Sequence, residues 1–150
     1  MSKDNSNHKF ASKAVHSGTQ HIGDAVNTPI FQSSTYKLTD ERYAGWAAGA
    51  QHTLLYGRLS SVNSDAVAQK LTALEEGEDA ETFASGMAAI SATMLSFLNQ
   101  GDHIVASADV YGGTYGLLTE ELTRFGIDVS MANMQDPSSY EAAIQPNTKI

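Results

Sequence analysis

A chain of 150 residues with 41% hydrophobic and 17% charged residues has the composition of one soluble globular domain. Its formal charge of −8 argues against nucleic acid or an anionic membrane as partner, because both select basic patches. The lack of cysteine in these residues excludes disulfides, thiolate metal sites and a cysteine nucleophile. The start, Met1–His8, is polar and no window has the apolar length of a membrane span, so we expect a cytoplasmic protein.

Residues 1–50 differ in pattern from the rest of the chain. Apart from one apolar stretch, Thr28–Tyr36, they hold scattered Ser, Thr, His and Gly and keep neither helical nor strand periodicity. We expect an extended arm with short elements and a loop through Ala44–Gly49. Because such an arm cannot bury itself, it should lie on its own body or on a second subunit.

Residues 51–150 are predicted to begin an α/β domain. Helical spacing starts at Ser64 and stops at Glu75–Gly77, with apolar positions at Val67, Leu71 and Leu74. A short strand, Ala80–Ala84, should follow, and then a turn at Ser85–Gly86. The next helix is predicted over 87–98, and its apolar side consists of Met87, Ile90, Met94, Leu95 and Leu98.

Strands and helices then alternate to the end of the chain. Strands are predicted over 103–107 and 127–131, and the helix between them, over about 114–125, should turn Tyr115, Leu118 and Leu122 inward. A helix should begin at Asp136–Pro137 and run to about Gln145, and Thr148–Ile150 looks like the start of another strand. This alternation predicts crossover units and a mostly parallel sheet, and its stop in mid-pattern suggests part of a larger domain.

Two segments that follow predicted strands have the chemistry of a ligand site, since sites in parallel sheets gather where strands end. Ser85–Met87 opens a helix, where free N–H groups attract a phosphate and Gly86 allows close approach. The alternative is an ordinary turn with Ser85 as N-cap. Tyr111 precedes Gly112–Gly113 and could stack on a planar ligand with its phenol available for proton transfer, or it could anchor the loop on the core.

Tyr56–Arg58 is a third candidate, because a guanidinium suits a phosphate and a phenol adds a donor. The alternative is a surface arginine in a loop. No metal site is expected, since the histidines have no metal-ligand spacing: His8, His16, His21, His52 and His103.

Taken in order, these segments resemble the transsulfuration, or Cys/Met metabolism, family of pyridoxal-phosphate enzymes. That family includes cystathionine γ-synthase, cystathionine lyases, methionine γ-lyase and acylhomoserine sulfhydrylases. The resemblance implies the large domain of the fold-type I transferases and the cofactor pyridoxal 5′-phosphate. It is carried by Ala14–Gly18, Thr28–Ile30, Ser33–Tyr36, Tyr56–Arg58, Ser85–Ile90, Gly101–Ile104 and Tyr111–Thr114.

The resemblance also implies a role for each candidate. Ser85, Gly86 and Met87 would bind the cofactor phosphate, the last two through their N–H groups. Tyr56 and Arg58 would reach the phosphate of a neighbouring subunit in a homotetramer. Tyr111 would stack on the pyridine ring as the catalytic residue. The implied reaction is β- or γ-elimination or γ-replacement on small amino-acid substrates of the cystathionine, homocysteine or O-acylhomoserine type.

The chain departs from the family pattern in two places. Two residues after the Tyr-x-Arg motif the family usually has Asn-Pro-Thr, where this chain has Ser61–Asn63. Gly113 stands where methionine γ-lyases typically carry cysteine, which favours the cystathionine enzymes or a sulfhydrylase. None of the lysines follows a strand where the family's cofactor-binding lysine belongs, so these residues alone are predicted to be inactive: Lys3, Lys9, Lys13, Lys37, Lys70 and Lys149.

Two other classes of protein remain as hypotheses. A non-catalytic remnant or oligomerisation module would use the arm and the exposed sheet edge to associate with itself or with a relative. A nucleotide-binding α/β domain would use Ser85–Met87 as its phosphate cradle, but the chain lacks a fuller glycine fingerprint and a ribose-binding acid.

Overall fold

The computed structural model describes residues 8–50 and 53–150; residues 1–7 of the polar start, and His52, lie outside the described residues. None of the helices in these described ranges is long and apolar enough to cross a bilayer. The chain divides after Thr82 into two compact units, while the domain boundary predicted near residue 50 stays a prediction. The described elements, in chain order, are α1 (Phe10–His16), α2 (Asp40–Ala47), α3 (Val62–Glu75), α4 (Gly86–Phe97), β1 (His103–Ser107), α5 (Gly112–Gly116), a π-helical segment (Leu117–Leu122), β2 (Asp128–Ala132) and α6 (Pro137–Ala143).

The first unit is built around α3, which starts earlier than Ser64 because Ser61 caps it. The Ser61 hydroxyl accepts the Ser64 N–H at 3.1 Å, and the helix ends at Glu75, with Glu76 as its C-cap, within the predicted stop. Of the three predicted apolar positions only Leu74 is half-buried, while Val67 and Leu71 are 50% and 43% exposed. The buried residues of the helix are Val62 and Ala68. Periodicity predicts a helix, but the segment that covers it decides which face is buried.

That covering segment is the arm itself. Gly18 lies so close to α3 that a Cβ there would collide with the Ala66 carbonyl oxygen, and its φ of +72° also favours glycine. Further along, the Asn63 amide donates to the Pro29 carbonyl at 2.9 Å and accepts the Phe31 N–H at 2.8 Å. Part of the arm therefore lies on its own body.

An ion pair joins α1 to the end of α3. The Lys13 ammonium donates to the Glu76 carboxylate at 2.9 Å. This hydrogen bond, and then the Lys13 charge, hold the pKa of Glu76 below its usual value. The pair therefore stabilises the folded chain at pH values above the ordinary pKa of a glutamate. This contribution is lost as the pH falls through the lowered pKa of Glu76.

The arm is more helical than predicted. The loop predicted through Ala44–Gly49 is wrong over Ala44–Ala47, which ends α2. Thr39 accepts the Arg42 N–H at 3.3 Å, and Asp40 and Glu41 occupy the first turn, so a cap and favourable dipole charges start the helix ahead of the predicted loop.

The second unit contains the parallel sheet that the sequence predicted. His103 through Ser107 of β1 pair in register with Asp128 through Ala132 of β2. On its other side β1 forms a parallel bridge to Thr148, and the Val105 N–H donates to the Ile150 carbonyl at 2.9 Å. The strand predicted over 80–84 is wrong, since it pairs with no described strand. Extended backbone becomes a strand only beside a partner, and β1 is paired on both sides.

Five side chains form the core of this unit: Leu98, Ile104, Leu118, Leu122 and Ile127. The helix predicted between the strands starts at Gly112 and continues into the π-helical segment, which places Leu118 and Leu122 inside as predicted. Tyr115 and Leu95, predicted to face inward or lie on an apolar side, are about half exposed.

The predicted start of α6 is confirmed, but its predicted end is wrong. Asp136 caps α6 by accepting the Ser138 N–H at 3.0 Å, and Pro137 occupies its first turn. The helix stops at Ala143 rather than near Gln145. Pro146 disfavours helical backbone at the residue before it, which accounts for the earlier end.

Candidate active site

The start of α4 has the form of an anion cradle. Ser85 is extended and caps the helix, accepting the Ala88 N–H at 3.1 Å, so the N-cap alternative is confirmed and is compatible with a site. A Cβ placed on Gly86 would have no atom within 4 Å. Among the described residues no acceptor takes the N–H groups of Gly86 and Met87, which carry the positive end of the helix dipole.

Tyr111 follows the carboxyl end of β1 and directly precedes α5. Tyr111 is 73% exposed, so the alternative in which it anchors the loop on the core is wrong. The ring folds back over its own loop instead: a Cβ on Gly113 would lie 2.7 Å from Tyr111 Cε1. Real Cβ atoms do not tolerate that distance, so only glycine at position 113 leaves the ring where it is.

The cradle and the tyrosine loop meet at the Met87 side chain. Its sulfur lies 3.4 Å from the same Cβ position on Gly113, and Thr114 Oγ1 donates to it at 3.6 Å. The sequence predicted Met87, Met94 and Met131 as core packing. The last two do pack against the core, whereas Met87 turns to the loop. No sequence signal predicted this contact, because it requires α4 and α5 to pack together and joins residues that are 27 positions apart in the sequence.

Tyr56 and Arg58 lie in the first unit, and both are exposed. Tyr56 forms an antiparallel bridge with Thr35, and the Gly57 N–H donates to the Ser34 carbonyl at 2.7 Å, so the motif sits on a fixed turn. Arg58 lines a small cavity of about 70 Å³, which is otherwise lined by Gly57, Leu59, Ser60, Ser64, Asp65, Ala68, Glu81 and Thr82.

Arg58 differs from the other two arginines. Arg42 donates to the Lys37 carbonyl at 2.8 Å, and Arg124 pairs with Glu121 at 2.9 Å. Within the part of the chain that the structure describes, the Arg58 guanidinium has no such acceptor. The departing residues Ser61–Asn63 form the cap and first turn of α3, directly behind this turn.

The residues of the second unit fit a phosphorylated aromatic group. The Gly86 and Met87 N–H groups, which have no acceptor among the described residues, suit phosphate oxygens, and the space beside Gly86 would be filled by any side chain at that position. The exposed Tyr111 ring, on the loop that the Met87 side chain contacts, offers a face to a planar ring.

The fold matches those of solved transsulfuration enzymes. A cystathionine γ-lyase from Lactobacillus plantarum, solved with L-serine, superposes with a TM-score of 0.77 at 33% identity, covering 94% of this chain and 35% of that one. A Campylobacter jejuni structure described as an O-acetylhomoserine (thiol)-lyase gives 0.84 at 30% identity, covering 95% and 36%, and contains N′-pyridoxyl-lysine-5′-monophosphate. The class is that of the α/β large domain of these enzymes.

The chain belongs to the Cys/Met metabolism PLP-dependent enzyme family, which it matches over residues 11–150. It is 39% identical to an L-methionine γ-lyase from Porphyromonas gingivalis over 143 residues, which are 94% of this chain and 36% of the relative. A cystathionine γ-lyase from Bacillus subtilis is 43% identical over 125 residues, 83% of this chain and 31% of the relative. The chain thus spans about a third of the length of these relatives. Because methionine γ-lyases are among them, the preference drawn from Gly113 stays a prediction.

Proposed function

We propose that these residues form the phosphate cradle and tyrosine loop of a pyridoxal-phosphate enzyme that acts on sulfur amino acids or activated homoserine. The family match over residues 11–150 carries the proposal, and the N–H groups of Gly86 and Met87, which no described residue accepts, support it. The reaction class is β- or γ-elimination or γ-replacement. Family membership favours this hypothesis over the nucleotide-binding one.

The proposed roles follow from the chemistry of each group. Gly86 and Met87 N–H bind the phosphate, with Ser85 fixing the helix start. Tyr111 stacks on the cofactor ring, and its phenol moves a proton at the substrate side chain. When bound, pyridoxal 5′-phosphate supplies the electron sink for chemistry at the β- or γ-carbon.

We propose that Tyr56 and Arg58 act in a second copy. A guanidinium without an acceptor among the described residues, on a fixed and exposed turn, suits an anion supplied by a neighbouring subunit. The assembly in the proposal is a homo-oligomer of cytoplasmic subunits. The non-catalytic association module remains the alternative, and the same exposed turn would serve it.

We also propose that these 150 residues alone do not turn over substrate. In the second unit, which the structure describes throughout, the lysine is Lys149. Its N–H donates to the His103 carbonyl at 2.8 Å, at the amino end of β1. Tyr111 follows the other end, and a five-residue strand is about 16 Å long. The Lys149 backbone therefore lies at the amino end of β1, whereas Tyr111 and the proposed cofactor site lie beyond its carboxyl end.

Binding measurements on the chain test the cradle. We expect pyridoxal 5′-phosphate to bind at least about tenfold more tightly than pyridoxal, because charge-assisted hydrogen bonds to a phosphate contribute about 1.5–3 kcal/mol. Gly86→Val should remove this preference by filling the cradle. Gly116→Ala is the matched control, since a Cβ there also meets nothing within 4 Å. Equal affinities for the two ligands would show that the cradle is wrong, and turnover of cystathionine by the chain would contradict the proposed inactivity.

A further inference from the structure

The Met87 side chain contacts the tyrosine loop while its N–H belongs to the anion cradle. Thr114 Oγ1 donates to Met87 Sδ at 3.6 Å, and the sulfur sits 3.4 Å from the Cβ position of Gly113. That position is also 2.7 Å from the edge of the Tyr111 ring. One residue therefore touches both parts of the candidate site.

Thr114 is the buried anchor of this loop. It is 7% exposed, whereas its neighbours Gly112, Gly113 and Tyr115 are exposed. Because the Thr114 hydroxyl is buried and bonded to the Met87 side chain, we expect the loop to shift whenever that side chain shifts.

The direction of the Thr114 hydrogen bond is unusual within this chain. Other helical threonines donate back to their own helix, to the carbonyl four residues earlier: Thr72 to Ala68, Thr93 to Ala89, Thr119 to Tyr115 and Thr123 to Thr119. Thr114 stands in the first turn of α5, where the residue four positions earlier is outside the helix. Its hydroxyl is therefore available to reach α4.

We propose that Thr114 is a positioning residue: by holding the Met87 sulfur, it sets where the Tyr111 ring lies relative to the α4 start. The inference rests on the proposed function, because it assigns the ring of Tyr111 to the cofactor. The Met87–Thr114 contact links phosphate binding at α4 to ring stacking on the loop. Its contribution is distinct from that of the backbone N–H groups, which bind phosphate without it.

Binding of pyridoxal 5′-phosphate and of inorganic phosphate by the chain separates these contributions. Thr114→Val keeps the shape and removes the hydroxyl, so we expect pyridoxal 5′-phosphate to bind about 2- to 10-fold more weakly while the affinity for inorganic phosphate is unchanged. Thr114→Ser keeps the donor and should bind as the parent chain does. Met87→Leu removes the acceptor sulfur, should reproduce Thr114→Val, and should add nothing to it in the double variant.

A Tyr111→Ala background gives the decisive comparison. There Thr114→Val should have no further effect on pyridoxal 5′-phosphate, because the group it positions is gone. An equal loss with and without the tyrosine ring would overturn the inference and leave Thr114 with a structural role alone. If Tyr111→Ala itself leaves the affinity for pyridoxal 5′-phosphate unchanged, the proposed function fails at that residue, and thermal melting of each variant shows whether the fold is intact.

Discussion

Gly113 is the residue at which local geometry most directly controls the candidate site. Its missing Cβ leaves room for the Tyr111 ring, whose edge lies 2.7 Å from where that atom would be. The atoms nearest to that position belong to the exposed Tyr111 ring, which can rotate away, rather than to the backbone. A side chain at this position should therefore displace the ring without unfolding the chain.

Gly113→Ala should separate stability from binding. We expect the free energy of unfolding to stay level or rise by up to about 1 kcal/mol, because alanine is the better helix former in α5. Binding of pyridoxal 5′-phosphate should weaken as the ring moves. Gly112→Ala is the matched control, since its Cβ meets nothing within 4 Å and it should bind like the parent chain. If both variants bind equally well, the position of the ring does not depend on Gly113.

At the scale of elements, His103 links three extended segments. It is fully buried on β1, with Nε2 2.9 Å from Ser130 Oγ on β2 and Nδ1 2.7 Å from Thr148 Oγ1. The Gln145 side-chain amide lies 3.2 Å from Nε2 and donates to it, which assigns the Nδ1–H tautomer with Thr148 as acceptor. A histidine that the sequence left without a site role thus cross-links the sheet.

His103→Leu should lower the free energy of unfolding in urea by about 1–3 kcal/mol, because the half-buried Ser130 hydroxyl loses its partner. Adding Ser130→Ala should recover part of that loss, since it removes the Ser130 hydroxyl that the first change leaves without a partner. A double variant that is less stable than His103→Leu alone would argue against the hydrogen bond as the cause.

At the scale of the whole molecule, the arm keeps large apolar side chains on its surface. Val26 and Ile30 are 79% and 84% exposed, although Asn63 ties the adjoining backbone to α3. We expect these side chains to be covered by another chain, since a second subunit is one of the two surfaces predicted for the arm.

Light scattering measures this association directly. We expect the chain to form assemblies heavier than a monomer, and Val26→Ser with Ile30→Ser to raise the dissociation constant about tenfold or more, since burying each side chain contributes about 1.5–3 kcal/mol. Gln32→Ser changes an exposed polar neighbour and should leave the assembly intact. A monomer at all concentrations would refute the expectation.

Features that depend on neighbouring residues follow from the amino-acid sequence alone. Short-range hydrogen bonding and periodicity predict the Ser85 and Asp136 caps, the end of α3 and the alternation of strands with helices from β1 onward. The structure confirms these features. The order of the short motifs was also enough to predict the family, because each motif can be read from consecutive residues without knowing the fold.

Features that depend on residues distant in sequence appear only in the folded chain. The fold left 80–84 without a strand to pair with, buried Ala68 of α3 rather than Val67, and turned the Met87 sulfur to Thr114. Periodicity states that a helix has an apolar side, but burial and pairing belong to whichever element arrives beside it. That element is selected by packing over the whole chain, so no local pattern contains it.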